Sequence, residues 1–306
     1  MTLRYKTALG ISLPHRSPDP LALTTIGSVA RRAEELGFQD LWVTENTIDD
    51  GTCLDPVVAL TFAASITKRI GIGAAVIVLP IHHPLMVAHQ WATLDFVSGG
   101  RAILAAGLGR AHHYRDFQVP VARRVRRFRE EVELIKALWT GGKITYRGQI
   151  FQLENVKLAT RPARKPHPPL WIGGGHPDAV RRAAVLADGW IGSGGSSIAE
   201  FKASVPILRQ ALEVAGRDPT KFPVSKRVFM AVDERPAMAH RELERWFTEV
   251  YHNPPGTDTS GIHGTPEHVR ERLEELVTAG ANHLLLNPIS RHAEQLEAVA
   301  ELVGLK

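Results

Sequence analysis

Polar side chains that could take part in proton transfer or hydrogen bonding follow several apolar stretches of this sequence. Glu45 and Asn46 come soon after the apolar residues 41–43, and two histidine pairs follow later stretches, at His82–His83 and His112–His113. A carboxylate or an imidazole at the end of a buried strand is a candidate general acid, general base or orienting group. A purely structural hydrogen-bonding role for Glu45 is an equally good interpretation of the sequence alone.

Glycines follow two apolar stretches at points where a ligand could approach the backbone. The segment Gly107–Arg110 has the sequence Gly-Leu-Gly-Arg, and Gly173, Gly174 and Gly175 follow a later stretch. Glycines expose backbone N–H groups, and a helix that begins after His176 would add partial positive charge, so the second run predicts a phosphate site. A tight turn between a strand and a helix is the alternative.

Two Gly-x-Gly segments, Gly71–Gly73 and Gly107–Gly109, begin like a dinucleotide-binding fingerprint but lack its third glycine. The position of that glycine is occupied by Val76 in the first segment and by His112 in the second. The sequence therefore argues against a Rossmann-type nucleotide site.

Several other chemistries lack their sequence patterns. There is no His-Glu-x-x-His motif, and Asp49, Asp50 and Asp116 have no ligand spacing, so we expect no metal site. There is no Gly-x-Ser-x-Gly nucleophile motif either. A metal-dependent barrel hydrolase stays open only as an alternative.

The cysteine count and the distribution of apolar residues indicate the compartment and the kind of partner. Cys53 cannot form an internal disulfide, which favours a reducing cytoplasm, and a small hydrophobic role for it is favoured over a reactive one. No apolar run approaches the roughly 20 residues that span a membrane, and the first residues lack the apolar core of a signal peptide. We therefore expect a cytoplasmic protein that acts on a small molecule and has no membrane partner.

The elements that must position these residues alternate between strands and helices along the chain. Ala74–Leu79 and Ala102–Ala106 are short apolar runs typical of strands buried on both faces, and a helical pattern between them begins at Pro84. About eight such strand and helix pairs, with no change of composition midway, predict a single-domain α/β protein, a (β/α)8 TIM barrel over residues 1–306.

Two segments interrupt this alternation. Ile144–Leu158 alternates around Arg147–Gly148 and predicts a surface hairpin. His252–Gly264 predicts a long loop, inserted at the carboxyl-end face, that shapes the substrate pocket or covers it as a lid.

The formal net charge is +5, and much of the excess lies in five arginines within residues 123–129. Such a cluster could bind nucleic acid or the anionic tail of a cofactor. The alternative is the solvated face of a helix, and because no recognition motif accompanies the arginines we expect no nucleic-acid partner. The apolar side of that helix would comprise Val125, Phe128, Val132, Ile135 and Leu138.

The chain resembles the bacterial luciferase-like monooxygenase family, including its branch that uses coenzyme F420. The resemblance covers nearly the whole chain, and its motifs are specific only when taken together. They lie at Leu36–Val43, Gly73–Pro80, Ser98–Arg101, Arg161–Pro162, Pro166–Gly174, Ala187–Trp190, Gly264–Glu267 and His283–Pro288.

The resemblance implies a luciferase-like barrel, commonly a homodimer, that binds reduced FMN or F420 at the carboxyl ends of its strands. It also implies a non-prolyl cis peptide bond at Ala75–Val76, in a bulge that supports one face of the cofactor ring. The chemistry implied is hydride transfer or oxygen activation at that ring. The cofactor-binding residues carried over are Ala74, Ala75, Val76, Gly107, Gly109, Arg110, Gly173, Gly174, Gly175 and His176.

One departure from the family pattern bears on mechanism. Many members have a histidine, often assigned to catalysis, where this chain has Asn46 after Glu45. Because an amide cannot shuttle a proton, His112 or His113 could take that part, or Asn46 could only form hydrogen bonds. We predict an oxidoreductase or monooxygenase that uses F420 or FMN on a small organic substrate. A cofactor-binding member with little catalysis is the alternative.

Overall fold

A computed structural model of the chain describes residues 2–306, so Met1, which the single-domain prediction includes, lies outside it. Eight parallel strands of the described residues form a closed barrel, as the sequence predicts. We number these barrel strands in chain order: β1 Ala8–Ser12, β2 Asp40–Val43, β3 Gly71–Val78, β4 Ala102–Gly107, β5 Leu170–Gly173, β6 Gly189–Gly192, β7 Val224–Val232 and β8 His283–Pro288.

The barrel closes because every strand pairs in parallel with the strands before and after it. β1 pairs with both β2 and β8, and β6 pairs with both β5 and β7. The register between β3 and β4 shifts between Ala75 and Ile77, so a bulge interrupts β3 before its carboxyl end. All eight carboxyl ends therefore lie on one face, where barrel enzymes place their sites.

Helices surround the barrel, and several of them begin or end at capping residues. Asp55 accepts a hydrogen bond from the N–H of Val58 at one helix start, and Gly37 and Gly99 end two helices with positive φ. The helices are α1 Leu23–Leu36, α2 Pro56–Ile66, α3 Pro84–Ser98, α4 Ala111–Asp116, α5 Arg124–Thr140, α6 Pro177–Leu186, α7 Ile198–Val214, α8 Pro236–Glu249, α9 Gly256–Thr259, α10 Pro266–Thr278 and α11 His292–Val303.

The predicted hairpin is present as two antiparallel strands, Ile144–Arg147 and Gln152–Val156. It is fastened to α5 because the carboxylate of Glu130 accepts the N–H groups of three consecutive turn residues at 2.9–3.2 Å. The predicted apolar side of α5 is wrong at one position, because Val125, in the first turn of the helix, is exposed and does not pack against the barrel.

The prediction of a loop over His252–Gly264 is wrong for most of its length. The segment contains α9 and a short strand, Ile262–Gly264, that pairs in parallel with the last residues of β7. Neither element is long enough to show a hydrophobic period, so the pattern along the chain could not reveal them. Together with α8 they form an insertion between β7 and α10.

The amino-terminal half of the barrel interior is filled by aromatic and polar side chains. The rings of Trp42 and Trp171 lie 5.4 Å apart, and His283 contacts both. His283 Nδ1 lies 2.7 Å from Ser225 Oγ, and its Nε2 lies 3.1 Å from Asp40 Oδ1. Although this group has the atoms of a hydrolytic triad, it is buried at the end of the barrel away from the carboxyl face, which suits a stabilising role.

Among residues 2–306, no helix combines the length and the apolar character that crossing a bilayer requires.

Candidate active site

A cavity of about 760 Å³ opens at the carboxyl ends of the strands. It brings together the residues that the sequence singled out, from the ends of β2 to β5 and the loops that follow. The exceptions are Ala74, which is fully buried in the core between barrel and helices, and His82 and His83, which do not line the cavity. The predicted residues that line the cavity are Glu45, Asn46, Ala75, Val76, Gly107, Gly109, Arg110, His112, His113, Gly173, Gly174, Gly175 and His176.

The cavity contains the bulge of β3, where the peptide bond between Ala75 and Val76 is cis, as the family resemblance implied. Val76 lies against the ends of the next two strands. A Cβ at Gly107 would come 2.5 Å from Val76 Cγ2, and a Cβ at Gly173 would come 2.5 Å from Val76 Cγ1. These two glycines therefore make room for the valine, a reason that the sequence analysis had not considered.

The turn between β5 and α6 forms a cradle, which we define as Gly174–His176. Gly174 has a φ of +142° and is held from both sides: its N–H donates to Ile191 at 3.2 Å, and its carbonyl accepts from Trp190 Nε1 at 2.7 Å. Apart from the chain neighbours of Gly175, no atom of residues 2–306 lies within 4 Å of where its Cβ would stand. The cradle thus offers backbone and open space to a ligand.

Two further elements add polar groups beside the cradle. Arg182 of α6 lines the same cavity, and burial lowers the pKa of its guanidinium. Ser193 and Gly194 follow β6 in the lining, and the buried ammonium of Lys226 donates to the carbonyls of Ser193 and Ser196. Burial lowers the pKa of Lys226 to about 7. This lysine holds the loop after β6 in place.

Glu45 is held in a fixed orientation at the end of β2. Its Oε2 accepts the N–H of Val78 at 2.7 Å, and its Oε1 lies 2.6 Å from Nε2 of His82. Glu45 is only 7% exposed, whereas a third of the His82 side chain is exposed on the far side of the pair. The carboxylate therefore connects the cavity to a histidine that does not line it.

A buried histidine positions the segment that carries Glu45 and Asn46. His15 Nε2 accepts the N–H of Thr44 at 2.9 Å, which makes Nδ1 the protonated nitrogen that donates to Leu13 at 2.8 Å. Burial lowers the pKa of His15 to about 3, so the ring stays neutral. Asn46 Nδ2 donates to Thr44 Oγ1 at 3.3 Å. Sequence analysis missed His15, which precedes its partner by 29 residues.

His112 and His113 both line the cavity, but they differ in what they contact. His113 Nδ1 accepts the N–H of Arg110 at 3.0 Å and so caps the start of α4. Burial and the neighbouring ring of His112 lower the pKa of His113. His112 is exposed, with its ring centroid 4.0 Å from that of His113.

Two arginines that sequence analysis missed line the opposite side of the cavity. Arg16 donates through Nε to Asp49 at 2.6 Å and through Nη2 to the carbonyl of Val250 at 2.7 Å. Arg227 on β7 donates through Nε and Nη2 to Asn287 Oδ1, at 3.0 and 2.6 Å. For Arg227, the signal in the sequence was the pair of adjacent cations, Lys226 and Arg227, inside the mostly apolar strand β7.

The rim of the cavity is bridged by Arg110 and Tyr251. Arg110 Nη2 donates to the hydroxyl of Tyr251 at 2.8 Å, and its guanidinium lies over the tyrosine ring. This contact joins the loop after β4 to the segment after α8. Of the predicted pocket-shaping segment, His252 lines the cavity, whereas α9 and the strand that follows pack against α8 and β7.

Comparison with known proteins points in one direction. A family model described as luciferase-like monooxygenase matches residues 7–259. A curated F420-dependent glucose-6-phosphate dehydrogenase of Kineococcus radiotolerans is 29% identical over 239 residues, which cover 75% of this chain and 70% of that protein. Three further curated relatives are aligned over 46%, 61% and 58% of their own lengths.

Two solved structures are similar over nearly the whole chain. An F420-dependent secondary alcohol dehydrogenase in complex with an F420–acetone adduct has a TM-score of 0.85 at 22% identity, covering 98% of both chains. The monooxygenase RslO1 from Streptomyces bottropensis has a TM-score of 0.82 at 21% identity, covering 98% of this chain and 97% of that one. At these identities the likeness concerns the fold.

Proposed function

The chain belongs to the luciferase-like monooxygenase family, and on that premise we propose that it is an oxidoreductase that transfers a hydride between coenzyme F420 and a small organic substrate. The observation that carries the proposal is the cavity, which has the bulge of β3 on one side and an unobstructed glycine cradle beside it. The F420-dependent dehydrogenase among the relatives supports F420 over FMN.

The residues present fit such a cofactor. Ala75 and Val76 offer a small apolar surface to one face of a planar ring, and the cradle together with Ser193, Gly194 and Arg182 offers backbone and positive charge to a phosphate. When bound, F420 supplies a deazaflavin ring that exchanges a hydride with the substrate. The protein's part is to orient the two molecules and to exclude water between them.

Interconversion of an alcohol and a carbonyl also moves a proton, and Glu45 is the group that we assign to it. Its carboxylate faces the cavity, and His82 lies 2.6 Å behind it as a route to solvent. Asn46 then orients the substrate by hydrogen bonding. His113 is less suited, because its Nδ1 accepts the N–H of Arg110, which leaves the neutral ring with a protonated Nε2 that can donate a proton but not accept one.

The first test is a titration of the purified protein with F420, FMN and reduced FMN by calorimetry. Selective binding of F420 supports the proposal, whereas selective binding of reduced FMN favours an oxygen-using monooxygenase like the structural relative RslO1. If none of the three binds, the proposed function is wrong.

A variant pair locates the phosphate site. We expect Gly175→Glu to weaken F420 binding by roughly 100-fold, because its carboxylate would stand next to the cofactor's phosphate. Gly175→Ala is the matched control, since a Cβ at this position meets open space. Equal F420 affinity in both variants would remove the cradle from the site.

A cofactor-binding protein with little catalysis is the second candidate, and Asn46 is the observation that favours it. It predicts tight F420 binding without any reduction of the cofactor by a panel of alcohols and aldehydes. Reduction by any member of the panel excludes it.

A homodimer in a reducing cytoplasm belongs to the same proposal. Val58 on α2 and Met86, Phe96 and Val97 on α3 are exposed apolar side chains, which suit burial against a second copy. Sedimentation of the purified protein tests the dimer directly, and a monomer at micromolar concentration would contradict it.

A further inference from the structure

Arg227 presents a positive charge to the cavity without a counter-charge of its own. It projects from the middle of β7, lines the cavity and retains only partial exposure. Two of its nitrogens share one neutral acceptor, Asn287 Oδ1, and the guanidinium lies 4.5 Å from the centroid of the Phe229 ring. Within residues 2–306, no carboxylate oxygen lies within 4.0 Å of it.

The neighbouring acids are already engaged. Asp49 is bound by Arg16 at 2.6 Å, and both side chains are less than a tenth exposed, so that pair is close to neutral. Asp50 lies 3.3 Å from His252 at the rim. Glu45, on the same side, is held by the N–H of Val78 and by His82. Among the described residues, Arg227 is therefore a cavity-lining cation that none of these acids pairs with.

An unpaired cation in a partly dehydrated site is costly unless a ligand supplies the missing charge. We propose that Arg227, with Arg16 beside it, is a subsite for an anionic group of the substrate, a carboxylate or a phosphate. The proposal rests on the proposed function, because it assigns this anionic group to the substrate and leaves the cradle to the cofactor's phosphate. A planar guanidinium suits either anion through paired hydrogen bonds.

The experiment measures anion binding to the F420-saturated protein by calorimetry, with succinate and inorganic phosphate as separate probes. We expect at least one probe to bind, and Arg227→Met to weaken it by at least about tenfold without changing F420 affinity. The probe that binds more tightly distinguishes a carboxylate substrate from a phosphorylated one.

A matched control is Arg217→Met. Arg217 is also half-buried, stacks on a phenylalanine at 4.8 Å and donates only to carbonyl oxygens, but it lies outside the cavity. It should leave anion binding unchanged. Equal anion affinity in wild type and Arg227→Met, or no binding of either probe at tens of millimolar, overturns the subsite.

The subsite and the proposed function fail in distinguishable ways. If F420 does not bind at all, the same titration is run on Gly175→Glu, whose cradle is closed to anions. If Gly175→Glu still binds an anion and the double variant with Arg227→Met does not, the subsite is supported even though the cofactor assignment is wrong. Retention of that site contradicts both.

A second inference comes from the insertion after β7. His240 of α8, Asp258 of α9 and His263 of the strand Ile262–Gly264 converge from three elements, and their ligand atoms all lie within 4.8 Å of one another. Asp258 Oδ1 is 3.4 Å from His240 Nε2 and 3.8 Å from His263 Nε2. Ligands about 2.0–2.1 Å from a tetrahedral zinc ion stand about 3.3 Å apart, so little movement would be needed.

We infer that these three side chains bind a zinc-type divalent cation, with water as the fourth ligand. The sequence analysis expected no metal site and did not consider these three residues, which are separated by 18 and 5 positions along the chain. The ion would fasten α9 and the strand to α8, the helix that leads to Tyr251 at the cavity rim. Its effect would be structural, because the three residues lie outside the cavity lining.

The test is calorimetric titration of the metal-free protein with Zn²⁺, together with the visible absorption of Co²⁺. We expect one tetrahedral site per chain, a rise in Tm on binding, and an affinity about 100-fold weaker in His263→Gln. His89→Gln on α3 is the control and should bind Zn²⁺ like the wild type. Absence of the tetrahedral Co²⁺ spectrum, or equal Zn²⁺ affinity in His263→Gln, overturns the site.

Discussion

At the ends of β3 to β6 the cavity wall is built from glycines and small apolar side chains, with the charged groups in the loops and helices beyond, whereas β7 and the loops after β1 and β2 bring charged side chains directly to the wall. The first side has Val76 packed against Gly107 and Gly173, with the cradle beyond. The second side has Arg227, Arg16 and Glu45, each hydrogen-bonded to a group behind it.

This difference separates two tasks. A surface of glycines and small side chains can fit the shape of a cofactor and offer N–H groups to its phosphate, and it is damaged by adding atoms. On the proposed function, the surface of positioned charges takes up the proton and binds the substrate, and it is damaged by removing or neutralising atoms.

The largest effect is expected on the charged side. Glu45→Gln keeps the shape and the hydrogen bond from Val78 but cannot take up a proton, so turnover should fall by about 100-fold or more. F420 affinity and Tm should change little. The measurement is the rate of F420 reduction by the best alcohol that a substrate panel reveals, with pH profiles recorded in parallel.

His82 tests the proton route behind Glu45, and the neighbouring His83 serves as the control. His82→Gln should reduce turnover and shift its pH profile, while His83→Gln should leave the profile unchanged, because His83 only caps α3. Identical profiles in wild type and His82→Gln would show that Glu45 exchanges protons by another route.

Acid should destabilise the charged side next. The pKa of His15 is about 3 in the folded protein and near 6.5 when unfolded, so between these values the unfolded state binds a proton that the folded state does not. Stability is therefore lost as the pH falls from 6.5 toward 3, on the order of 3 kcal/mol at pH 4. His292, whose pKa burial lowers to about 4, acts in the same direction.

Comparing urea unfolding of wild type and His15→Gln from pH 7 to pH 4 isolates this contribution. Burial raises the pKa of Glu131 to about 8, so its contribution to the stability of the fold decreases as the pH rises. Because Glu131 is present in both proteins, this contribution cancels in the comparison. Parallel stability curves for the two proteins would contradict the role of His15.

A smaller effect is expected from adding one methyl group on the glycine side. Gly173→Ala places a Cβ 2.5 Å from Val76 Cγ1, and such overpacking costs about 1–3 kcal/mol. It should also weaken F420 binding, because the displaced valine lies in the cavity. Thermal unfolding with Gly175→Ala as the control checks this, and equal Tm values would be the contrary result.

The smallest effect is expected from Asn46→His. It restores the imidazole that many family members have, next to a carboxylate that already has His82 behind it. Turnover should rise by no more than about tenfold. A much larger rise would mean that Asn46 limits the rate and would strengthen the interpretation of this chain as a weak enzyme.

The sequence predicted the glycine side better than the charged side, for a physical reason. Gly173 to Gly175 lie directly between a strand and a helix, so the neighbouring sequence alone places them at the carboxyl end of a barrel strand. Arg227 is one of two adjacent cations inside a nine-residue strand, and which of the two faces the cavity depends on the register with β8. Ala74 shows the same limit: neighbouring strand residues face opposite sides, so Ala75 lines the cavity and Ala74 the core.

The paired tryptophans of the barrel interior have an optical consequence. Trp42 and Trp171 pack in one cluster with Ala75, and Val76 lies against that cluster at the boundary of the cavity. A chromophore resting on this bulge would be within range of resonance energy transfer from both indoles and would quench their emission. The protein thus carries its own unlabelled reporter of occupancy, placed beneath the site.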